Sequence, residues 1–259
     1  MPQWHRVGTV DPQSLTDARL QSHWAAQLTA TVGRTLLPPR ADDSHTSFRW
    51  DDAHDALVQD PVKGHRSSLR IADLWLLFIE GDHIAAEFPL NGRTMRDGFL
   101  WIETQAAGAR QEFNDPMPDH AVRHGAPFSL GDGSAFAELS RYFADAALLL
   151  RDIREDVRCW PHHFDIATLF EFDGGSGSVG AGLSPGDKGC DEPYWYVNHF
   201  PVSQKKDLPP LRGGGTWNMR GWAGAILPAS RFIKAADQRS QVEEFLRSAI
   251  GASRSLIGV

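Results

Sequence analysis

The residues best suited to chemistry begin at the segment Trp-Pro-His-His-Phe-Asp, which spans positions 160–165. If 162–172 forms a strand, its side chains alternate between two faces, and His163 and Asp165 lie side by side on one of them. A carboxylate beside an imidazole orients a general base, and the same two groups can be ligands of a divalent metal. The alternative is a buried aspartate that fixes a histidine by hydrogen bonding and does no chemistry.

More polar residues follow in a long turn, 184–193, and in the aromatic segment 194–200. The turn carries Asp187 and Glu192, and the aromatic segment carries Tyr196 and His199. If that segment is a strand that pairs beside the one with His163, these groups converge at one end of a sheet. Polar groups that converge beside Trp and Tyr side chains are typical of a small-molecule pocket. We therefore expect His163, Asp165 and Glu192 as catalytic residues. The expected ligand-binding residues are Trp160, His162, Asp187, Tyr196 and His199.

A divalent metal is one version of this site, and a nucleotide cofactor is not expected. His162, His163, Asp165 and Glu192 offer the mixed nitrogen and oxygen ligands that zinc, manganese or iron accept, although their spacing fits no established site. Positions 175–180 read G-x-G-x-x-G, a pattern that binds dinucleotides when it follows a strand and opens a helix. Here a strand and a turn follow, so the glycines predict a hairpin instead.

Apolar spacing predicts the elements that must position these residues. Helical periodicity predicts four helices, at 14–33, 94–106, 135–157 and from about Ser240 onward. Shorter apolar runs predict strands at 46–51, 56–59, 68–74, 76–80, 84–90, 162–172, 178–183, 194–200 and 222–227. Because strands and helices do not alternate, we expect an α+β fold in which antiparallel sheets are flanked by helices.

The predicted elements fall into two groups with the same order of helix, strands and helix. The segment 119–134 is rich in Pro, Gly, Asp and His, which predicts a linker or covering loop. We expect an N-terminal half at 1–118 and a C-terminal half at 135–259 that carries the motifs, or one compact unit formed by both. The repeated order suggests an internal duplication as a hypothesis.

Composition excludes several classes of protein. The 259 residues include 26 Lys and Arg against 33 Asp and Glu, a net charge of −7, so no basic surface for nucleic acid or an anionic membrane is expected. No apolar run reaches the length of a bilayer span, and the N-terminus lacks the apolar core of a signal peptide. These features predict a cytoplasmic protein whose partner is a small molecule.

Three motifs resemble those of a bacterial family known only as a domain of unknown function. They are W-P-x-H-F-D at 160–165, S-P-G-D at 184–187 and E-P-Y-x-Y-V at 192–197. His162 stands where that family is variable. After Val197 this chain has Asn198-His199-Phe200 where the family has a small residue, Pro and Trp. Since the family has no established activity, the resemblance implies only the fold and the location of a site.

The sequence thus predicts an enzyme or binding protein for a small polar molecule, with general acid–base or metal-assisted chemistry. The alternative is a non-catalytic interaction module. In that case the aromatic strand and the Gly-rich hairpin form a partner surface, and the motif residues are structural staples of turns. The two hypotheses differ in whether the motif carboxylates face a concave pocket or a solvated loop. The ligand, the reaction, the metal and the oligomeric state stay open.

Overall fold

Four α-helices and two antiparallel sheets, of five and six strands, form the part of the chain that the computed structural model describes, residues 3–110, 116–172, 177–203 and 207–258. The expected α+β class is therefore confirmed. The helices are α1 (Thr16–Leu36), α2 (Met95–Gln105), α3 (Ser134–Ile153) and α4 (Gln238–Ile257). Among the described residues, no helix is long and apolar enough to cross a bilayer.

The helix starts follow local capping chemistry. At α2, Thr94 accepts a hydrogen bond from the Asp97 backbone, and the Asp97 side chain accepts one from Thr94 in return. At α4, the Asp237 side chain accepts from the backbone of Ser240. Helix α4 therefore begins two residues before Ser240, where the sequence predicted its start.

The chain divides into two compact units. The C-terminal unit comprises residues 1–14, 145–157 and 165–259, and the N-terminal unit comprises 15–144 and 158–164. The segment 119–134 belongs to the N-terminal unit and contains a short 3-10 helix, Ala121–His124.

The sheet of the N-terminal unit is a meander whose neighbours in sequence are neighbours in space. Its strands are β1 (Arg49–Asp51), β2 (Ala56–Val58), β3 (His65–Arg70), β4 (Trp75–Glu80) and β5 (His83–Pro89). The strand β6 (Arg158–Trp160) lies in the same unit, where Cys159 exchanges two backbone hydrogen bonds with Phe48. Helix α1 is buried along most of its length, although it carries polar side chains such as His23 and Gln27. The fold therefore needs internal partners for these groups.

The C-terminal unit is built on antiparallel strands that pair in the order β10-β11-β9-β8-β7. They are β7 (Asp165–Phe172), β8 (Gly177–Ser184), β9 (Tyr194–Phe200), β10 (Thr216–Asn218) and β11 (Gly224–Pro228). Phe172 pairs with Gly177, so β7 and β8 form the expected hairpin. Residues 173–176, which include part of the G-x-G-x-x-G pattern, lie outside the described residues.

Strand β7 is shorter than predicted, and this changes the expected site. It begins at Asp165 instead of His162, because residues 161–164 form a turn in which Phe164 adopts φ +56°. His163 and Asp165 therefore do not share one face of a strand, as the sequence had predicted. The strand predicted at 162–172 from its period-two pattern was correct only from Asp165 onward.

The two faces of the C-terminal sheet differ in burial. One face packs under α4 and includes Leu183, Trp195 and Val197, all nearly inaccessible. The opposite face, called here the open face, carries Asp165, Leu169, Gly182, Tyr196 and Phe200. Leu169 is 49% exposed and Phe200 65% exposed, so solvent reaches this side of the sheet.

Candidate functional site

The open face brings together Asp165 and Tyr196, two of the predicted site residues. The Tyr196 hydroxyl donates a hydrogen bond to Oδ2 of Asp165. Tyr196 belongs to β9 and Asp165 to β7, so the phenol ring must cross the intervening strand β8. Gly182 makes this crossing possible, because a Cβ at that position would lie 2.8 Å from Cζ of Tyr196 and 2.7 Å from Cβ of Ala167. Both Asp165 and Tyr196 are half-buried, and Oδ1 of Asp165 is itself shielded from solvent.

A second tyrosine–carboxylate pair lies at the end of β9. The Tyr194 hydroxyl donates to Oδ2 of Asp187 at 2.6 Å. Oδ1 of Asp187 accepts from the backbone nitrogens of Gly189 at 2.6 Å and Cys190 at 3.0 Å. Burial, together with the hydrogen bond to Asp187, raises the pKa of the Tyr194 phenol well above its ordinary value. Tyr194 therefore stays a protonated donor, and Asp187 closes its own turn.

Trp222 completes an aromatic cluster beside these tyrosines. Its ring centroid lies 6.5 Å from that of Tyr194 and 6.1 Å from that of Tyr196, nearly perpendicular to the second ring. Sequence reasoning missed Trp222 because its position depends on the pairing of Gly224 with Asn198, far away along the chain. Tyr194 was also missed, although its place in the E-P-Y motif was a usable signal.

Glu192 has a bonding pattern different from that expected of a catalytic carboxylate. Its oxygens accept from the backbone nitrogen of Ser230 at 2.6 Å and from the Ser230 hydroxyl at 2.8 Å. The neighbouring carbonyl of Pro193 accepts from the backbone of Ala229 at 2.8 Å. These bonds tie the start of β9 to the turn that follows β11. Glu192 thus has the contacts of a structural staple.

His199 does not converge with Tyr196. The two residues are three positions apart on β9, and their side chains therefore point to opposite faces. His199 lies on the buried face, where its ring meets Trp217 edge to face at 6.3 Å and Nε2 accepts from the backbone of Ser203 at 3.4 Å. Burial lowers the pKa of His199. The expectation that both residues line one end of the sheet was wrong.

The remaining predicted residues, Trp160, His162 and His163, lie together in the N-terminal unit. The His162 ring lies 4.5 Å from the His163 ring and 6.0 Å from the Trp160 ring. Phe164, the last residue of the same turn, is buried and stacks on His23. The centroids of these two rings lie 5.3 Å apart, with an interplanar angle of 9°. The turn thus presents two adjacent imidazoles, with His163 exposed.

Helix α1 supplies two buried partners of this turn that sequence reasoning missed. The carbonyl of Pro161 accepts from Nε2 of His23 at 2.8 Å and from Nε2 of Gln27 at 2.5 Å. Burial lowers the pKa of His23 to about 4. Electrostatic repulsion from His163, Arg19 and His162 lowers this pKa further, whereas the hydrogen bond to the Pro161 carbonyl raises it. The available signal was the four-residue spacing of His23 and Gln27 on a helix rich in buried residues.

The predicted metal set is not gathered in the structure. Across the described residues, no three His, Cys, Asp or Glu side chains are placed to hold one ion. The Glu192 carboxylate is bonded to Ser230, and the Asp165 carboxylate accepts from the Tyr196 hydroxyl. The geometry therefore offers no support for the set His162, His163, Asp165 and Glu192 as metal ligands.

Comparison with protein-family models, curated proteins and solved structures finds no match for this chain. One carboxylate from each of the first two motifs is nevertheless bonded to a tyrosine of the third on the C-terminal unit. W-P-x-H-F-D supplies Asp165, S-P-G-D supplies Asp187, and E-P-Y-x-Y-V supplies the tyrosines that donate to them. The geometry thus gives these motif positions specific partners within this chain.

Proposed function

We propose that the protein binds a small polar molecule at the open face of the C-terminal unit. The binding groups are Asp165, Tyr196 and Trp222, which we call the Tyr196 site. The observation that carries the proposal is the hydrogen bond from the Tyr196 phenol to Asp165 across Gly182. Trp222 supplies an apolar wall next to this pair. A few polar groups beside aromatic rings are the usual composition of a small-molecule site.

The chemistry of the pair favours acid–base work over metal assistance. The Asp165 carboxylate accepts hydrogen bonds, so a bound hydroxyl or amine can donate to it, and it can take a proton from such a group. The Tyr196 phenol orients the carboxylate and is itself a proton donor. The ligand that fits is a small molecule with a hydroxyl or amine donor and a flat or apolar part for Trp222. As an enzyme, the protein would use Asp165 as general base and Tyr196 as its positioning partner.

A second candidate function, the non-catalytic interaction module, draws on two other observations. The carboxylate oxygens of Asp187 and Glu192 accept hydrogen bonds from neighbouring protein groups, as expected of structural residues. The open face also exposes Leu169 and Phe200, which are apolar side chains suited to a protein partner. On this alternative, the hydrogen bond between Tyr196 and Asp165 is also purely structural, and the open face itself is the functional surface.

The experiment compares two adjacent tyrosines on β9. Protein purified under native conditions is denatured, and the released small molecules are identified by mass spectrometry. Tyr196→Phe removes the hydroxyl bonded to Asp165, whereas Tyr194→Phe removes the one bonded to Asp187. We expect a molecule that is released from the wild type and from Tyr194→Phe but is lost from Tyr196→Phe. Equal release from both variants, or nothing released from the wild type, contradicts the proposal and favours the interaction module.

A further inference from the structure

Two aromatic rings of the open face lie over glycines of the sheet. The Tyr196 ring crosses Gly182, and the Trp222 ring lies over Gly224, where a Cβ would come within 3.0 Å of its Cε3. Gly224 pairs with Asn198, which shares the open face with Tyr196, so both rings lie on the same side of the sheet. Their centroids are 6.1 Å apart and their planes make an angle of 79°. The two half-buried rings therefore form a right-angled aromatic corner.

The tyrosines beside Trp222 both donate hydrogen bonds to carboxylates. Tyr196 donates to Asp165, and Tyr194 donates to Asp187 at 2.6 Å. A carboxylate that accepts from a phenol increases the electron density of the aromatic ring, so the face of that ring becomes more negative. Cations are attracted to the negative faces of aromatic rings, and most strongly to that of tryptophan. The aromatic corner therefore favours a positively charged group through its ring faces.

Elsewhere the chain places its own arginines over aromatic rings. The guanidinium of Arg70 lies 5.5 Å from the ring centroid of Trp75, and that of Arg254 lies 5.4 Å from the ring centroid of Phe172. Within the described ranges, no arginine or lysine lies over the ring of Trp222 in this way. A cation bound at the aromatic corner therefore does not compete with a side-chain cation of the described chain for this ring.

We propose that the ligand of the Tyr196 site is a quaternary ammonium compound with a hydroxyl group, whose methylated nitrogen lies between Tyr196 and Trp222. The inference rests on the proposed function and names the class of its ligand. A cation in the angle between two perpendicular rings can lie within the distance of about 6 Å over which each ring attracts it. Methyl groups on the nitrogen spread the charge over an apolar surface that contacts both rings. The hydroxyl is the donor that the Asp165 carboxylate accepts.

The test uses two probes that differ in one atom, choline and 3,3-dimethylbutan-1-ol, in which a neutral carbon replaces the charged nitrogen. In calorimetric titration of the full-length protein, we expect choline to bind about tenfold more tightly than the neutral alcohol. This comparison is made on the wild type and depends on no variant. Equal affinities for the two probes, or no binding of choline, overturn the proposal.

A pair of tryptophan variants locates the cation. Trp222→Leu keeps an apolar side chain but removes the ring, and we expect it to bind choline about tenfold more weakly and the neutral alcohol unchanged. Trp101→Leu makes the same change at a half-buried tryptophan of α2 and should leave both affinities as in the wild type. Circular dichroism checks that both variants are folded. If Trp222→Leu binds choline as tightly as Trp101→Leu does, the cation lies elsewhere and the proposal fails.

The failure of this inference can be told apart from the failure of the proposed function. A released molecule that depends on Tyr196 but carries no positive charge supports the Tyr196 site and overturns the quaternary ammonium ligand. Release that does not depend on Tyr196, together with no binding of choline, overturns both. A released quaternary ammonium compound that is lost from Tyr196→Phe supports both.

Discussion

Tyr196 and Asp165 belong to strands that are not neighbours, and their side chains meet above the strand between them. Tyr196 pairs in register with Gly182 of β8, and Gly182 pairs with Ala167 of β7. The phenol therefore reaches diagonally past Ala167 to Asp165, which lies two positions earlier and is the first residue of β7. A hydrogen bond across three strands stabilises the register of the sheet and also leaves a carboxylate–phenol pair half-exposed on its surface.

The crossing of Tyr196 over Gly182 predicts opposite effects of alanine at two glycines. Gly182→Ala would place a Cβ within 2.8 Å of Tyr196 and 2.7 Å of the Ile166 carbonyl oxygen, so we expect a loss of about 1 to 3 kcal/mol in unfolding free energy. Gly251 lies inside α4 with no atom close to its virtual Cβ. Gly251→Ala should therefore stabilise the protein by about 0.5 to 1 kcal/mol. Urea unfolding measures both values, and a neutral Gly182→Ala would contradict the described path of Tyr196.

The bonds of Glu192 to Ser230 predict a loss of stability when either residue is changed. Glu192→Gln replaces a charged acceptor that bonds both a backbone nitrogen and a hydroxyl, and should cost about 1 kcal/mol. Ser230→Ala removes only the hydroxyl bond. In a double-mutant cycle of thermal unfolding, the two substitutions should be coupled by about 0.5 to 1 kcal/mol. Additive effects, or a stabilised Glu192→Gln, would show that the carboxylate has another role.

Buried His23 predicts a loss of stability in mild acid. Its pKa is about 4 in the folded protein and about 6.5 in the unfolded chain, so the unfolded chain takes up the proton first as the pH falls. Its contribution is complete above pH 6.5 and is lost between pH 6.5 and 4, by on the order of 3 kcal/mol. His23→Gln keeps a donor for the Pro161 carbonyl without titrating. Urea unfolding from pH 7.5 to 4 should show a shallower loss for this variant than for the wild type, and identical slopes would refute the burial of His23.

The raised pKa of the Tyr194 phenol predicts a loss of stability at alkaline pH, in addition to the loss that His23 predicts in acid. Its raised pKa means that the unfolded chain releases this proton first, so its contribution is present below about pH 10 and decreases above it. The chain has three tyrosines, and phenolate absorbance can follow them. In the wild type, the Tyr194 signal should appear only together with unfolding. Tyr194→Phe should remove that part of the signal, and an ionisation of Tyr194 in the folded protein near its ordinary pKa would contradict the bond to Asp187.

The sequence predicted elements with local signals better than it predicted the site. The four helices were located from apolar periodicity, and β9 was predicted with its observed bounds, because Tyr194–Phe200 is rich in aromatic residues. Strand β7 was predicted three residues too long, because Phe164 in the left-handed region ends the alternation and leaves no compositional trace. Asp165 and Tyr196 were each identified as candidates. Their pairing depends on the register of three strands, and the role of Glu192 depends on Ser230, which lies in a distant turn.

The most direct test of the Tyr196 site is ligand titration of protein isotope-labelled at the tyrosine ring carbons. The three tyrosines give separate nuclear magnetic resonance signals, which Tyr196→Phe and Tyr194→Phe assign. The molecule released by denaturing the wild type is added back to the ligand-free native protein. A ligand that bonds to Asp165 competes with the Tyr196 phenol, so the Tyr196 signal should shift while those of Tyr142 and Tyr194 stay in place. If the Tyr196 signal does not move at saturating ligand, or the Tyr194 signal moves instead, the Tyr196 site is not where the molecule binds.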